Sequence, residues 1–469
     1  MTKPLTHVAL QRLHVTCGPT ISTSEVHAVC PEAIVHPPIQ HGDLYRIGLE
    51  PGDRILIIDG LFHQTAPIRH KEILDMIAQG VQVVGSSSMG ALRAAELHTH
   101  GMHGVGRIFE LFAGGAIDND DAVAVVHLES DDEFRALSEP LVNFRFALED
   151  AALAGVIDHR SAAAILELIQ DLDYPGRTWR NVYRLLEREG RRELAGQYTA
   201  VTTWLAEHPA SANTKKADAL HALDELTRES HSTTVPVNDR WATSFVHGWR
   251  NRFRPLTTQP DETLTVLAGL HYCQLYDGEF LPLWRKVVLA HIAGATTTDL
   301  PDDELLGAAD AEIVRHGICL SDLTPQQRSQ WLTPDEQSSL DTETQLRLLV
   351  IRSAPLTPSQ MDLSSPLATV LLDLAHRGAA EARAVQQIST SLLPAGLTVD
   401  HISDQHLVTS LDNEWSLATP TPQHRDIAAR QRGFLSFEHA KDASRHFIPG
   451  RLRRVRKVFP TSSSSVLSP

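Results

Sequence analysis

The sequence predicts an α/β N-terminal domain with parallel strands and a helical end, followed by a mostly α-helical C-terminal domain. Three observations carry this. Over the first ~130 residues short apolar runs alternate with helical patterns, the signature of strands joined by crossover helices. The run RILIIDG, Arg54–Gly60, is apolar without alternation, as a strand buried on both faces must be. From about residue 132 onward helical spacing takes over, and no further strand pattern appears.

The elements follow in order. LHVTC (Leu13–Cys17) reads as a strand ending at Gly18-Pro19-Thr20, and Arg54–Gly60 reads as a second. RHKEILDMIAQG is a helix stopped by Gly80. VQVVG (Val81–Gly85) is another strand, followed by the helix MGALRAAELHTH. RIFELFAGG is a helix closing on glycines, and AVAVVHL (Ala122–Leu128) has the apolar character of a strand. DEFRALSEPLVNFRFALEDAALAG, RSAAAILELIQDL and NVYRLLEREGRRELAGQYTAVTTWLAEH have helical spacing. The boundaries expected are an α/β core over 1–130, its helical part over 131–228, a helical extension over 240–450, and a basic, disordered tail over 451–469. The polar stretch Glu229–Arg240 marks the division. In the second half Thr-Pro-x-Glu/Gln occurs at Thr324, Thr333 and Thr357, which is helix-start chemistry: a threonine cap, proline at the first helical position, and a side chain reaching back to the cap amide.

Composition narrows the function. The 469 residues carry a net charge of −16, which disfavours nucleic acid as a partner. No apolar run reaches the length of a membrane span, and the N-terminus lacks a signal-peptide layout, so a cytoplasmic protein is expected. The four cysteines have no metal spacing and read as free thiols. No P-loop is present, so neither ATP nor any other cofactor is expected on this chain.

The stretch VVGSSSMGALRAAEL, Val83–Leu97, carries the chemistry. Strand, small-residue turn and helix together expose a nucleophile at the carboxyl edge of a sheet. Ser88, with Ser86 two residues before it and Gly90 two after, resembles G-x-S-x-G with serine for the first glycine. Met89 would then offer its amide to an oxyanion at a helix N-terminus. A second donor is expected from Gly18–Thr20 or from Gly60. The bland alternative is a serine turn that only caps a helix.

A serine needs a base. Lysine is scarce here: Lys71 is the only one between Lys3 and Lys215. A desolvated lysine can lose its proton whereas arginine cannot. Lys71 also stands near a helix start, where a cation is disfavoured. The expected pair is therefore Ser88 with Lys71, against the alternative that Lys71 pairs with Glu72 or Asp75 on the surface.

In order along the chain, Gly18-Pro19-Thr20, Pro37-Pro38 with Gly42-Asp43, Asp59-Gly60 with Phe62, HKEIL (His70–Leu74), SMGALRAAEL (Ser88–Leu97), GMHGVG with Phe109, the acidic loop Asp118–Asp121, Val123–Val125, His127, Arg177–Trp179, and Lys216 with Asp218 resemble the TfuA-like proteins that work beside YcaO enzymes. The resemblance spans roughly residues 10 to 225. It implies a role in backbone thioamidation of ribosomal peptides, in which YcaO binds the ATP. The partners implied are a YcaO enzyme, a ThiS-like thiocarboxylated carrier protein and the precursor peptide. It also implies hydrolysis of the carrier's thiocarboxylate to sulfide by a serine-lysine pair, at positions matching Ser88 and Lys71. Substrate or carrier contacts are expected from Gly18, Thr20, Asp59, Gly60, His70, Arg93, Asp121 and His127, and no metal is expected. Asn119 and Ala122 interrupt the acidic run of the pattern, and the second half of the chain lies outside it. The alternative function is a non-catalytic adaptor that binds YcaO with its peptide or carrier.

The other motifs have structural readings. GMHGVG (Gly101–Gly106) reads as a tight turn, since its glycine order is reversed from a dinucleotide fingerprint. Arg93 and Glu96, one turn apart, pair with each other, unless Arg93 receives a carboxylate from the carrier. Asp118, Asp120 and Asp121 read as a solvated capping loop, with Asp121 or His127 as candidates to orient Lys71 or hold the carrier tail.

Overall fold

The computed structural model describes residues 11–61, 65–128, 134–228, 241–256, 264–417 and 420–458. Phe62, the stretch 229–240 and the tail from 459 onward lie outside them. The chain divides into two compact units, Met1–Trp241 and Ala242–Pro469.

The first unit starts with β1 (Leu13–Thr16), α1 (Thr23–Val29), β2 (Ile34–His36), α2 (Asp43–Arg46), β3 (Arg54–Ile57), α3 (His70–Ala78), β4 (Gln82–Ser86), α4 (Met89–Leu97), β5 (His103–Val105) and α5 (Arg107–Ala113). The five strands form one sheet in the order β2-β1-β3-β4-β5, and every pairing is parallel. Ile55, Leu56, Ile57, Val83 and Val84 are all buried, which explains the continuous apolar runs of β3 and β4. The chain leaves β1 toward one edge and β3 toward the other. In a sheet of this order the crevice at that divergence, beyond the carboxyl ends of the strands, is where ligands bind.

Helices complete the unit: α6 (Leu141–Leu153), α7 (His159–Gln170), α8 (Trp179–Arg188), α9 (Arg192–Leu205), α10 (Pro209–Ala212) and α11 (Thr214–Arg228). α6 to α9 share a core of Phe144, Leu148, Ile165, Val182, Leu186 and Tyr198. α11 returns to the sheet instead. Its Ala219, Ala222, Leu223 and Leu226 belong to the same core as Leu13, Val15, Leu56, Val84 and Val105. Arg54 Nη1 donates to Leu226 O at 2.6 Å, fixing the far end of the helix.

Several expectations need correction. Ala122–Leu128 is not a strand of the sheet. It begins in a 3₁₀ turn, Asp120–Ala122, and continues as an irregular segment with one antiparallel bridge, His127 to Ala136. Ala122, Val123 and Ala124 are buried, the first two packing against α5 and α6, while Val125, Val126 and Leu128 are only partly buried. GMHGVG is only partly a turn: Gly101 and Gly106 have positive φ, but His103–Val105 between them is the edge strand β5. β2 and α2, too short to show periodicity, had not been anticipated. The helical pattern from residue 132 starts as a helix only at Leu141, after Pro140.

Gly85 and Gly90 let α4 sit directly on the sheet. A Cβ at Gly90 would lie 1.7 Å from Ile57 O, and one at Gly85 would lie 2.1 Å from Gly90 O. Neither obstacle is a movable side chain. Gly90→Ala is expected to cost about 3 kcal/mol of stability, read as a lowered urea midpoint.

The second unit is helical among its described residues. Its core gathers Phe280, Trp284, Val287, Leu371, Leu374, Val385 and Phe447. Thr324 and Thr333 form complete capping boxes. Thr357 does not: Pro358–Gln360 is a single 3₁₀ turn without a side-chain cap. The basic stretch from Arg451, expected as a disordered tail, is helical as far as Val458 within the helix Ile448–Val458. No helix among the described residues is long and apolar enough to cross a membrane.

Candidate active site

The three serines divide their work. Ser86, at the end of β4, donates from Oγ to Asp218 O at 3.1 Å. Ser87 donates from Oγ to Lys215 O at 2.6 Å. Both bonds hold the first turn of α11 against the serine turn. Ser87 has φ 66°, in the left-handed region that costs a non-glycine residue energy. That sharp turn swings Ser88 to the carboxyl edge of the sheet, immediately before α4.

The amine on Ser88 is that of Lys215. Its Nζ lies 2.9 Å from Ser88 Oγ and 3.0 Å from Val123 O. The expected partner, Lys71, forms no hydrogen bond with Ser88. It occupies the second position of α3, whose buried residues begin at Glu72, and it does not line the cavity at Ser88. Helix direction explains the difference. Glu72 turns inward to accept from the Gly42 amide at 2.7 Å and from His41, leaving Lys71 on the partly exposed side. Alanine at Lys71 should accordingly leave turnover within about twofold of wild type, since a partly exposed side chain off the site contributes little.

Lys215 is held at every polar atom. Its N–H donates to Asn143 Oδ1 at 3.1 Å, and its carbonyl accepts from Ser87. Asp59 Oδ1 lies 4.0 Å from Nζ. Lys215, Asp59 and Ser88 are all buried. Burial pushes the Lys215 ammonium below its ordinary pKa, and the carboxylates of Asp59 and Glu139 oppose that shift. Glu139 is itself pushed up by burial, against its hydrogen bond from Asn143 and the charge of Lys215.

Asp59, at the carboxyl end of β3, organises the loop after β1. Its Oδ2 accepts from the amides of Gly18 at 2.9 Å and Thr20 at 3.0 Å, and its Oδ1 accepts from Thr20 Oγ1 at 2.6 Å. Gly18 and Thr20 therefore cannot be oxyanion donors, as had been one expectation. Of the candidates, the amides of Met89 and Gly60 have no acceptor among the described residues. Burial, and after it the charge of Asp59, pushes the Cys17 thiol up to about 12.

The cavity beside Ser88 is about 140 Å³. Pro19, Asp59, Gly60, Leu61, Tyr174 and the segment Val123–His127 wall it. His127 lines it, but its Nδ1 is engaged with Leu128 O at 2.7 Å, and its ring meets Phe134 edge-on. Asp121 does not reach the lysine. Its carboxylate receives Arg177 Nη2 at 2.8 Å, while Arg177 Nη1 donates to Asp121 O and Nε to Leu172 O. The buried Arg177 guanidinium thus anchors the start of the cavity wall. Arg177→Met should lower stability by about 2 kcal/mol through the lost charge-assisted bonds, measured by urea unfolding.

His70 and Arg93 lie away from the cavity. Both meet Glu96, at 2.8 Å and 2.5 Å, on an exposed cluster. Arg93 thus pairs within its helix. Lys216, which had stood with Asp218 as a family landmark, pairs outward with Glu25, whereas Asp218 accepts from the Ile108 amide at 2.9 Å. Among the described residues no cluster of His, Cys, Asp or Glu has the arrangement of a metal site.

The residue missed from the sequence was Lys215. Its signal was present: it closes the long lysine-free interval that made Lys71 conspicuous. Choosing between the two ends of that interval required knowing that α11 returns to the sheet.

The family model for TfuA-like protein matches residues 59–178, a stretch that contains Asp59, Ser88, Val123 and Arg177. Lys215 stands beyond its end. No curated protein matches the chain.

Proposed function

We propose that this chain, through its TfuA-like region and the α11 lysine that completes it, is a serine-lysine hydrolase acting on a protein thiocarboxylate. The TfuA-like family is associated with YcaO-dependent thioamidation. The observation that carries the proposal is a buried lysine amine 2.9 Å from the hydroxyl of a serine at the carboxyl edge of a parallel sheet. A lysine used for surface charge is not buried beside a hydroxyl, and one meant to stay charged is not placed where desolvation lowers its pKa.

The chemistry runs in two halves. Neutral Lys215 accepts the Ser88 Oγ proton as Oγ bonds to the thiocarboxylate carbon. The amides of Met89 and Gly60 receive the oxyanion. The C–S bond then breaks, and Lys215 returns the proton to the departing sulfur, which leaves as hydrosulfide. Water, deprotonated by Lys215, cleaves the acyl-serine and restores Ser88. Val123 O and Asp59 orient the amine throughout. In this reading the sulfide supplies a YcaO partner that activates the peptide amide with its own ATP, and the carrier is ThiS-like.

The test is intact mass of a thiocarboxylated ThiS-like carrier incubated with the protein. Exchange of the terminal sulfur for oxygen, with sulfide appearing in equal amount, is expected. An unchanged carrier, together with retained binding to YcaO, would replace the enzyme by an adaptor.

A further inference from the structure

The wall of the Ser88 cavity has a backbone edge without partners among the described residues. Val126 O accepts from the Leu137 amide at 2.7 Å, the Val126 amide donates to Ser138 Oγ at 2.9 Å, and the Leu128 amide donates to Arg135 O at 3.0 Å. These bonds turn the backbone groups of residues 126 and 128 toward the segment 134–138. Around the antiparallel bridge of His127 to Ala136 the residues neighbouring these positions point the opposite way. Those neighbours are Val125 and His127, whose backbone N–H and C=O groups have no partner among the described residues. Both residues line the cavity that contains Ser88.

Resting on the hydrolase reading above, we propose that the C-terminal tail of the protein substrate enters as an extended strand paired with the Val125–His127 edge, carrying its terminal carbonyl to Ser88. The size of the cavity names the occupant. At about 140 Å³ it is well under the 300–1,000 Å³ of ordinary small-molecule sites. It has room for a small terminal residue, with the rest of the substrate outside. Apart from Asp59, Ser88, His127 and Tyr174 the lining side chains are apolar and small to medium in size, so they offer little side-chain pattern that reads a sequence. Recognition through main-chain hydrogen bonds suits such a site: strand addition gives affinity without demanding particular side chains. Val123 O, two residues before the edge, holds Lys215. The same segment therefore aligns the base and the substrate.

The experiment uses a fluorescein-labelled pentapeptide ending in glycine, and three versions N-methylated singly at each of the last three amides. Anisotropy reads their binding to the full-length Ser88→Ala protein. One of the methylated peptides should bind about five- to tenfold more weakly, the effect of one lost hydrogen bond. Val125→Pro, which removes the donor, should weaken the parent peptide similarly. Equal binding of all four peptides, or binding of none, overturns the edge. The matching peptide thioacids, incubated with wild type, report separately on hydrolysis. Selective binding without sulfide release would leave the edge and remove the hydrolase; sulfide release indifferent to methylation would do the reverse.

Discussion

Lys215→Met should abolish nearly all sulfide release while the protein remains folded. Removing a general base is expected to slow turnover by about a hundred- to ten-thousandfold. Methionine fills similar space without a charge, and Asp59 keeps its three bonds from Gly18 and Thr20. Arginine at the same position should be equally inactive, because it keeps the cation and cannot give up its proton. If Lys215→Met turned over normally and Lys71→Ala did not, the base would have been assigned to the wrong lysine.

The pH behaviour follows from the same shift. Burial lowers the Lys215 pKa below its ordinary value of 10.5. Turnover should therefore rise with pH along an acid limb whose midpoint lies below 10.5, and that limb should vanish in Lys215→Met. Stability carries the complementary sign. Below the folded-state pKa the protein must bury an ammonium that the unfolded chain leaves in water. The cost shrinks as pH climbs from the folded pKa toward 10.5 and is gone above it. Lys215→Met should thus be the more stable protein at neutral pH, with the difference closing at alkaline pH. Urea unfolding of both proteins across that range checks it.

Ser88→Ala should have the larger catalytic effect and a small structural one. Removing the nucleophile of a serine hydrolase costs about ten-thousandfold or more. Lys215 Nζ keeps Val123 O, and the turn itself is built by Ser86 and Ser87, which alanine at 88 does not touch. Stability should change by only about 1 kcal/mol. Ser87→Ala gives the opposite pattern: the bond to Lys215 O is lost, so the lysine is displaced and the fold weakened although the nucleophile remains. Comparing the two variants by sulfide release and thermal unfolding separates the serine that reacts from the serine that builds.

The sequence by itself determined the parallel sheet, the helical second unit and the serine turn. Those are local: continuous apolar runs report burial on both faces, and a strand, small residues and a helix in succession report a sharp exposed turn. The resemblance carried by SMGALRAAEL added the chemistry expected of Ser88. The tertiary structure decided the rest. Lys215 and Ser88 are 127 residues apart, and only the packing of Ala219, Leu223 and Leu226 on β1, β3 and β4 brings them together. The segment Ala122–Leu128 is as apolar as a strand, yet its backbone serves Lys215 and a single bridge rather than the sheet. Gly18 and Thr20 had suitable amides in sequence, but a carboxylate 41 and 39 residues further along the chain claims them. Apolar periodicity records that a residue is buried; which buried groups meet is settled by long-range packing, and that packing decided which lysine meets Ser88 and which segment walls the cavity.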